Sequence, residues 1–312
     1  MVPLAVLPHP VALWTVFDAL CLIFGLLLLD RHLGLHGMPR ALFWLLAAFF
    51  PPVFADVYAG QWAGLVLLCG LIGIVSARRH PWFAGGFIGA GGALKFYPLL
   101  MAAPTLARRR LVALATLVSF VALTVIGSLR VGLGGDLFYL RRVLLPSLGS
   151  RLNDCSIDSV HTLWGRLVGG EVYGLPAARG IRLVSLPWHF PQAALAATAL
   201  TLLAVVVAAA LAAAASGWNL DYSLALGLAL GALLPGEVYP YQWLPLLPVT
   251  LLVSVRALEA GRWRPLALIG ICLMGFVRPP CELLFPDLWT LSGLAIYAIV
   301  VSQYRLFKST EG

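Results

Sequence analysis

The chain has 312 residues, of which 61% are hydrophobic and only 11% charged, and its mean hydropathy is +0.93. A water-soluble domain carries about 25% charged residues, so this composition excludes a soluble globular fold, a disordered chain and a densely basic nucleic-acid-binding surface. An integral membrane protein remains, and its net charge of +8, carried by Arg everywhere except Lys95 and Lys308, is available to orient it in the bilayer.

A helix crosses the hydrocarbon core in about 20 residues. In chain order, the apolar runs that could do so are 11–29, 41–57, 62–76, 111–129, 191–215, 222–235, 244–255, 265–277 and 288–302. Residues 1–10 have neither a basic stretch nor a small-residue cleavage site, so they do not read as a signal peptide. Trp14, Trp44, Trp62, Trp82, Trp218, Trp243, Trp263 and Trp289 fall at or near the ends of these runs, where an aromatic belt belongs. Cys21, Cys69 and Cys272 lie inside apolar runs and read as packing residues. Cys155 and Cys281 fall in polar connections on one expected outer face, where oxidation could join them.

One further apolar stretch, 82–106, is rich in Gly, carries Lys95 near its middle and has Pro98 and Pro104 in its second half. Arg78 and Arg79 precede it and Arg108 to Arg110 follow it. A single crossing would put one cluster outside, whereas two half-helices broken around Lys95 and Pro98 keep both on the cytoplasmic side. The expected fold is therefore an all-α polytopic membrane protein, a single domain over residues 1–312. It has about nine transmembrane helices plus one re-entrant pair of half-helices, with the N-terminus outside and the C-terminus inside. The connection 130–189, with seven Arg, would lie outside; loops of that length weigh less in the charge rule.

Ionisable residues at membrane depth are costly and are functional candidates by default. Lys95 sits in the sequence Gly-Gly-Ala-Leu-Lys-Phe-Tyr-Pro (residues 91–98) and can meet a phosphate there, or it can snorkel to the interface. Asp56 and Gln61 end a run at the outer face; Asp56 is a candidate acid or base, or a plain polar helix end, and Gln61 can bond a sugar hydroxyl. Asp18, alone in the first run, reads as a packing or helix-contact residue. Arg151, Asn153, Ser156 and Arg166 gather in the long connection, where Arg can hold phosphate oxygens bidentately, or the segment is a solvated loop. Glu237, Tyr239 and Tyr241 interrupt two apolar runs and suit carbohydrate stacking or a belt turn. No H-E-x-x-H, C-x-x-C, G-x-S-x-G or phosphate-binding Gly loop is present, so soluble-type hydrolase, zinc and nucleotide chemistry find no support.

In order, these pieces resemble the GT-C membrane glycosyltransferases, in particular glycosyltransferase family 87, the polyprenyl-phosphate-mannose-dependent α-1,2-mannosyltransferases. The features that carry the resemblance are Pro3-Leu-Ala-Val-Leu-Pro8 before Trp14, Gly60-Gln61 after Pro51 and Pro52, Lys95-x-x-Pro98 ahead of Arg108 to Arg110, and Asn153 and Ser156 followed by Arg166. It implies transfer of a hexose, by the family's type mannose, from a polyprenyl-phosphate donor to a glycolipid or glycan acceptor at the outer face of the cytoplasmic membrane. No nucleotide or redox cofactor is implied, because the donor is already activated. Lys95, Arg151 and Arg166 would hold the donor phosphate. Gln61, Tyr97, Asn153, Ser156, Tyr239 and Tyr241 would line the sugar or acceptor site. Two departures follow. The later outer loop has Tyr239-Pro-Tyr241-Gln242-Trp243 where the family has His. The family's extra first helix and the loop with its catalytic Asp would precede residue 1, so Asp56 and Glu237 are the expected stand-in bases and the 312-residue chain is expected to be impaired. The alternative reading is a non-catalytic membrane subunit or a transporter; a transporter would carry inverted repeats and broken helices in both halves, whereas this sequence shows one such break, around Lys95 and Pro98.

Overall fold

The computed structural model describes residues 9–139, 141–142, 159–170, 189–235, 238–276 and 287–308. Among these residues all regular structure is helical: α1 (Pro10–Leu33), α2 (Gly37–Ala48), α3 (Pro51–Ala59), α4 (Ala63–Ser76), α5 (Pro81–Leu94), α6 (Ala102–Arg108), α7 (Arg110–Val131), α8 (Leu133–Tyr139) and α9 (Val160–Leu167) come first. They are followed by α10 (Pro191–Ala215), α11 (Leu220–Leu233), α12 (Leu247–Glu259), α13 (Trp263–Met274) and α14 (Leu288–Ser302). Short 3-10 turns at Tyr97–Met101, Pro240–Leu246 and Tyr304–Phe307 complete the set. Pro10, Pro51, Pro81 and Pro191 each open a helix, the position where a missing N–H costs nothing.

Each of the nine expected apolar runs falls on one or two helices among the described residues, and helix length by itself identifies fewer crossings than the nine or so expected. Among the described residues four helices are long and apolar enough to cross: Pro10–Leu33, Arg110–Arg130, Pro191–Ala215 and Pro240–Glu259. A fifth arises if α2 and α3, bent by 44° where Pro51 and Pro52 interrupt them, form one span. Helices α4, α11, α13 and α14 have 12 to 15 residues, about 18–23 Å against a core of about 30 Å. These lengths match the runs 62–76, 222–235, 265–277 and 288–302, which are already shorter than a straight crossing.

Helix α11 is apolar on every side and buried without interruption from Tyr222 to Leu233, which makes it the axis of the bundle. By contrast, α1, α7 and α10 leave most of their apolar surface on the outside, such as Phe24, Val118 and Leu203, an arrangement that lipid accepts and water does not. Trp243 and Trp289 correct the belt expectation. Both are buried with Phe276, Trp243 completely, because Gly293 has no side chain to keep its ring away.

Helix α5 lies against α7 with nothing between the backbones. A Cβ on Gly85 or Gly89 would strike the carbonyl oxygens of Val112 and Thr116, and Ser119 Oγ donates to the Gly86 carbonyl at 2.8 Å. This spacing of four between small residues is the usual device for close helix contact in membranes. The chain then breaks at Lys95, turns through Tyr97–Met101 and returns along α6, so that Arg78 and Arg109, from the two flanking clusters, line one and the same cavity.

Candidate active site

The end of α3 builds the first half of the site. Gly60 adopts the left-handed conformation (φ 59°), the Gln61 N–H returns to the Asp56 carbonyl at 3.4 Å, and the chain passes directly into α4. The first N–H groups of a helix have no partner within it and attract negative charge. Here they meet two carboxylates. Leu65 N–H donates to Asp18 Oδ1 at 2.8 Å, while Gly64 N–H lies 3.1 Å from Asp18 Oδ2 and 3.1 Å from Asp56 Oδ2. Both side chains are buried, Asp18 to 4% exposure and Asp56 to 1%. Residue 64 has to be Gly: a Cβ would sit 2.5 Å from the Asp18 carbonyl oxygen and 2.7 Å from its Oδ2. Asp56 Oδ1 is buried and receives no hydrogen bond.

The second half comes from the break after α5. Lys95 leaves the helix in an extended conformation (φ −146°, ψ 130°), and its Nζ lies 5.0 Å from the centroid of the Tyr241 ring, within cation–π range. It also feels the charges of Asp56 and Asp18, without forming an ion pair to either. Tyr97, two residues on, packs directly on Gly231 of α11 and lies within electrostatic reach of the same two carboxylates. Tyr241 stacks on Tyr239, the centroids 5.7 Å apart and the planes 1° from parallel, and Gln242 Oε1 accepts from the Tyr239 N–H at 2.6 Å. Two acids, one ammonium, a helix N-terminus and an aromatic pair thus share one end of α4. Gln61 stands half-exposed at this same end, next to Trp62, whose ring meets Trp14 edge-on at 5.7 Å.

The structure therefore brings together Asp56, Lys95, Tyr97 and Tyr241, with Tyr239 stacked behind and Gln61 in the adjoining turn. Arg166 is engaged by an acid of another helix end. It is buried on α9 and bonds Asp287 Oδ1 through Nη1 at 2.6 Å, ahead of α14. Arg151, Asn153, Ser156 and Glu237, like Cys155 and Cys281, lie outside the described residues. Asp18 is the residue that sequence reasoning undervalued. It does touch a neighbouring helix, as expected, but it does so as a ligand of that helix's N-terminus beside a second acid. The available signal was Gly64, a small residue at the start of a run that Gly60-Gln61 introduces.

Chemically, a buried carboxylate oxygen without a donor can accept a proton, an ammonium against a ring can receive an anion, and a pair of parallel tyrosines offers a stacking wall. The family model of glycosyltransferase family 87 matches residues 1–238 of the chain, a stretch that contains Asp18, Asp56, Gly64, Lys95 and Tyr97. No curated protein and no solved structure matches it.

Proposed function

The chain belongs to glycosyltransferase family 87, and from that premise we propose that it transfers a hexose, mannose in our reading, from a polyprenyl-phosphate donor to a hydroxyl of a glycolipid or glycan acceptor. The reaction takes place toward the outer face of the cytoplasmic membrane. The observation that carries this reading is the convergence of Asp56, Asp18 and Lys95 at one end of α4, flanked by Tyr97 and Tyr241.

Asp56 acts as general base. The acceptor hydroxyl gives its proton to Asp56 Oδ1, the hydroxyl oxygen forms a bond to the anomeric carbon, and the bond from that carbon to the phosphate oxygen breaks. Polyprenyl phosphate leaves with the electron pair, and the Lys95 ammonium stabilises the charge that develops on it. Asp18 does not touch substrate. It ties α1 to the first N–H groups of α4 and so fixes the amide that orients Asp56. The Tyr239–Tyr241 stack holds the position of Tyr241 under Lys95 and offers its edge to the sugar. The topology in this reading keeps about nine apolar segments and a re-entrant α5–α6 pair, with the shorter helices α4 and α5 ending about 21 Å in from one interface. The cluster is thereby sunk at membrane depth, where a lipid-borne phosphate can reach it and the field of a single cation is strong.

The test is donor choice. The purified chain in lipid nanodiscs is offered radiolabelled polyprenyl-phosphate mannose or the corresponding nucleotide sugar, with a membrane extract as acceptor. Label passing to glycolipid from the lipid donor alone is expected. Transfer from the nucleotide sugar in lipid-free donor preparations would refute the assignment of donor class.

A further inference from the structure

The opposite end of α4, 14 residues or about 21 Å from the carboxylate pair, opens on a cavity of about 630 Å³. Arg78, Arg109, Arg256 and Lys308 line it. They come from four separate parts of the chain: the exit of α4, the junction of α6 and α7, the last turn of α12 and the residue after the final 3-10 turn. Arg78 is held by Asp221 Oδ2 at 3.3 Å, an oxygen that also lies 3.2 Å from His32 Nε2, and Arg256 pairs with Glu259 at 2.8 Å. Arg109 and Lys308 have no acidic partner among the described residues. Basic residues that only hold loops on one side of a membrane act by number and need not converge. These four converge on one chamber.

The chamber shares a wall with a second space. Trp218 lines it, and Trp218 also lines an apolar slot of about 170 Å³ between α6, α10 and α11, walled by Pro104, Val206, Ala210, Leu226 and Leu230. The Trp218 backbone is left-handed (φ 59°), directly after Gly217 (φ 69°), and its N–H is fixed to the Ala213 carbonyl at 2.7 Å. A bulky residue in that region is rare and persists where its surroundings hold it, commonly at a binding site. A cationic chamber and an apolar slot with one aromatic ring between them match an amphiphile with an anionic head.

We propose that this is a binding site for an anionic phospholipid, separate from the sugar-transfer site. The phosphate lies among Arg78, Arg109, Arg256 and Lys308, and one acyl chain enters the slot past Trp218. Arg forks suit phosphate oxygens bidentately, and the apolar slot distinguishes a lipid from a free phosphate ion. Asp221 holds Arg78 in place.

Tryptophan fluorescence of the full chain in detergent, titrated with phosphatidylglycerol or phosphatidylcholine brominated on the acyl chains, tests this directly. Saturable quenching by the anionic lipid at about tenfold lower concentration than by the zwitterionic one is expected, and Trp218→Phe should remove the saturable part. Arg109→Gln with Lys308→Gln, both exposed, should raise the half-saturating concentration about tenfold, a loss of about 1.4 kcal/mol. Arg109→Lys with Lys308→Arg should restore it. Equal quenching by the two lipids, or quenching unaffected by the Gln pair, would overturn the proposal. Complete reversal by millimolar inorganic phosphate would also overturn it, by assigning the chamber to a soluble anion.

Discussion

Asp18 and Asp56, on two different helices, each place a carboxylate oxygen 3.1 Å from the amide nitrogen of Gly64. Two acids meet there because a helix begins there, and Gly64 has no side chain to keep them out. The contact joins α1, α3 and α4 at one point, so the geometry of the base rests on a residue with no chemistry of its own.

Gly64→Ala is therefore expected to be more harmful than a helix-favouring substitution should be. Its methyl group must displace Asp18, at an overpacking cost of about 1–3 kcal/mol. Thermal unfolding in detergent should show the loss, together with transfer activity well below that of Asp18→Asn. An Ala variant as stable and active as the parent would show that the close approach is not needed.

The Arg166–Asp287 pair is buried on both sides. Arg166→Ala leaves the buried Asp287 carboxylate without this partner and should cost about 3–5 kcal/mol, and a double variant with Asp287→Ala should cost less than the sum of the two single changes. Unfolding midpoints of the three variants measure this. If Arg166 instead serves the donor phosphate, Arg166→Ala will lower donor affinity at unchanged stability.

Residues Arg79 and Arg110 flank the broken α5–α6 unit, and the cavity shared by Arg78 and Arg109 puts both at one end of the bundle. Arg79→Cys and Arg110→Cys, each in a background freed of native Cys, should react with an impermeant thiol reagent only from the cytoplasmic side, and Gln61→Cys only from outside. Labelling of positions 79 and 110 from opposite sides would make the unit a simple crossing.

The positions of the helices were readable because hydrophobic runs and initiating prolines are local signals. The break at Lys95 was readable for the same reason, since Gly91, Gly92, Lys95 and Pro98 all fall within one turn or two. The Asp18–Asp56 contact was not. It joins segments whose apolar residues occur all round the helix, so no periodicity marks the face that turns inward. Trp243 misled for a related reason: a Trp at the end of an apolar run looks the same whether it meets headgroups or, as here, the backbone of Gly293.

The Lys95–Tyr241 contact separates charge from packing. Tyr241→Phe keeps the ring under the ammonium and should leave donor KM within about twofold, whereas Tyr241→Leu removes a cation–π interaction of about 0.5–2 kcal/mol and should raise it several-fold. Identical KM values for the two variants would show that Tyr241 acts through its hydroxyl or not at all.

The split between kcat and donor KM for sugar transfer from polyprenyl-phosphate mannose by the full chain, compared across Asp56→Asn, Asp18→Asn and Lys95→Met, decides whether the start of α4 is where transfer occurs. Asp56→Asn is expected to lower kcat by about 10²–10⁴ at nearly constant donor KM. Asp18→Asn should lower kcat less and reduce stability as well, and Lys95→Met should raise donor KM. Undiminished kcat in Asp56→Asn, with unchanged donor KM in Lys95→Met, would contradict the account and place the reaction away from the start of α4.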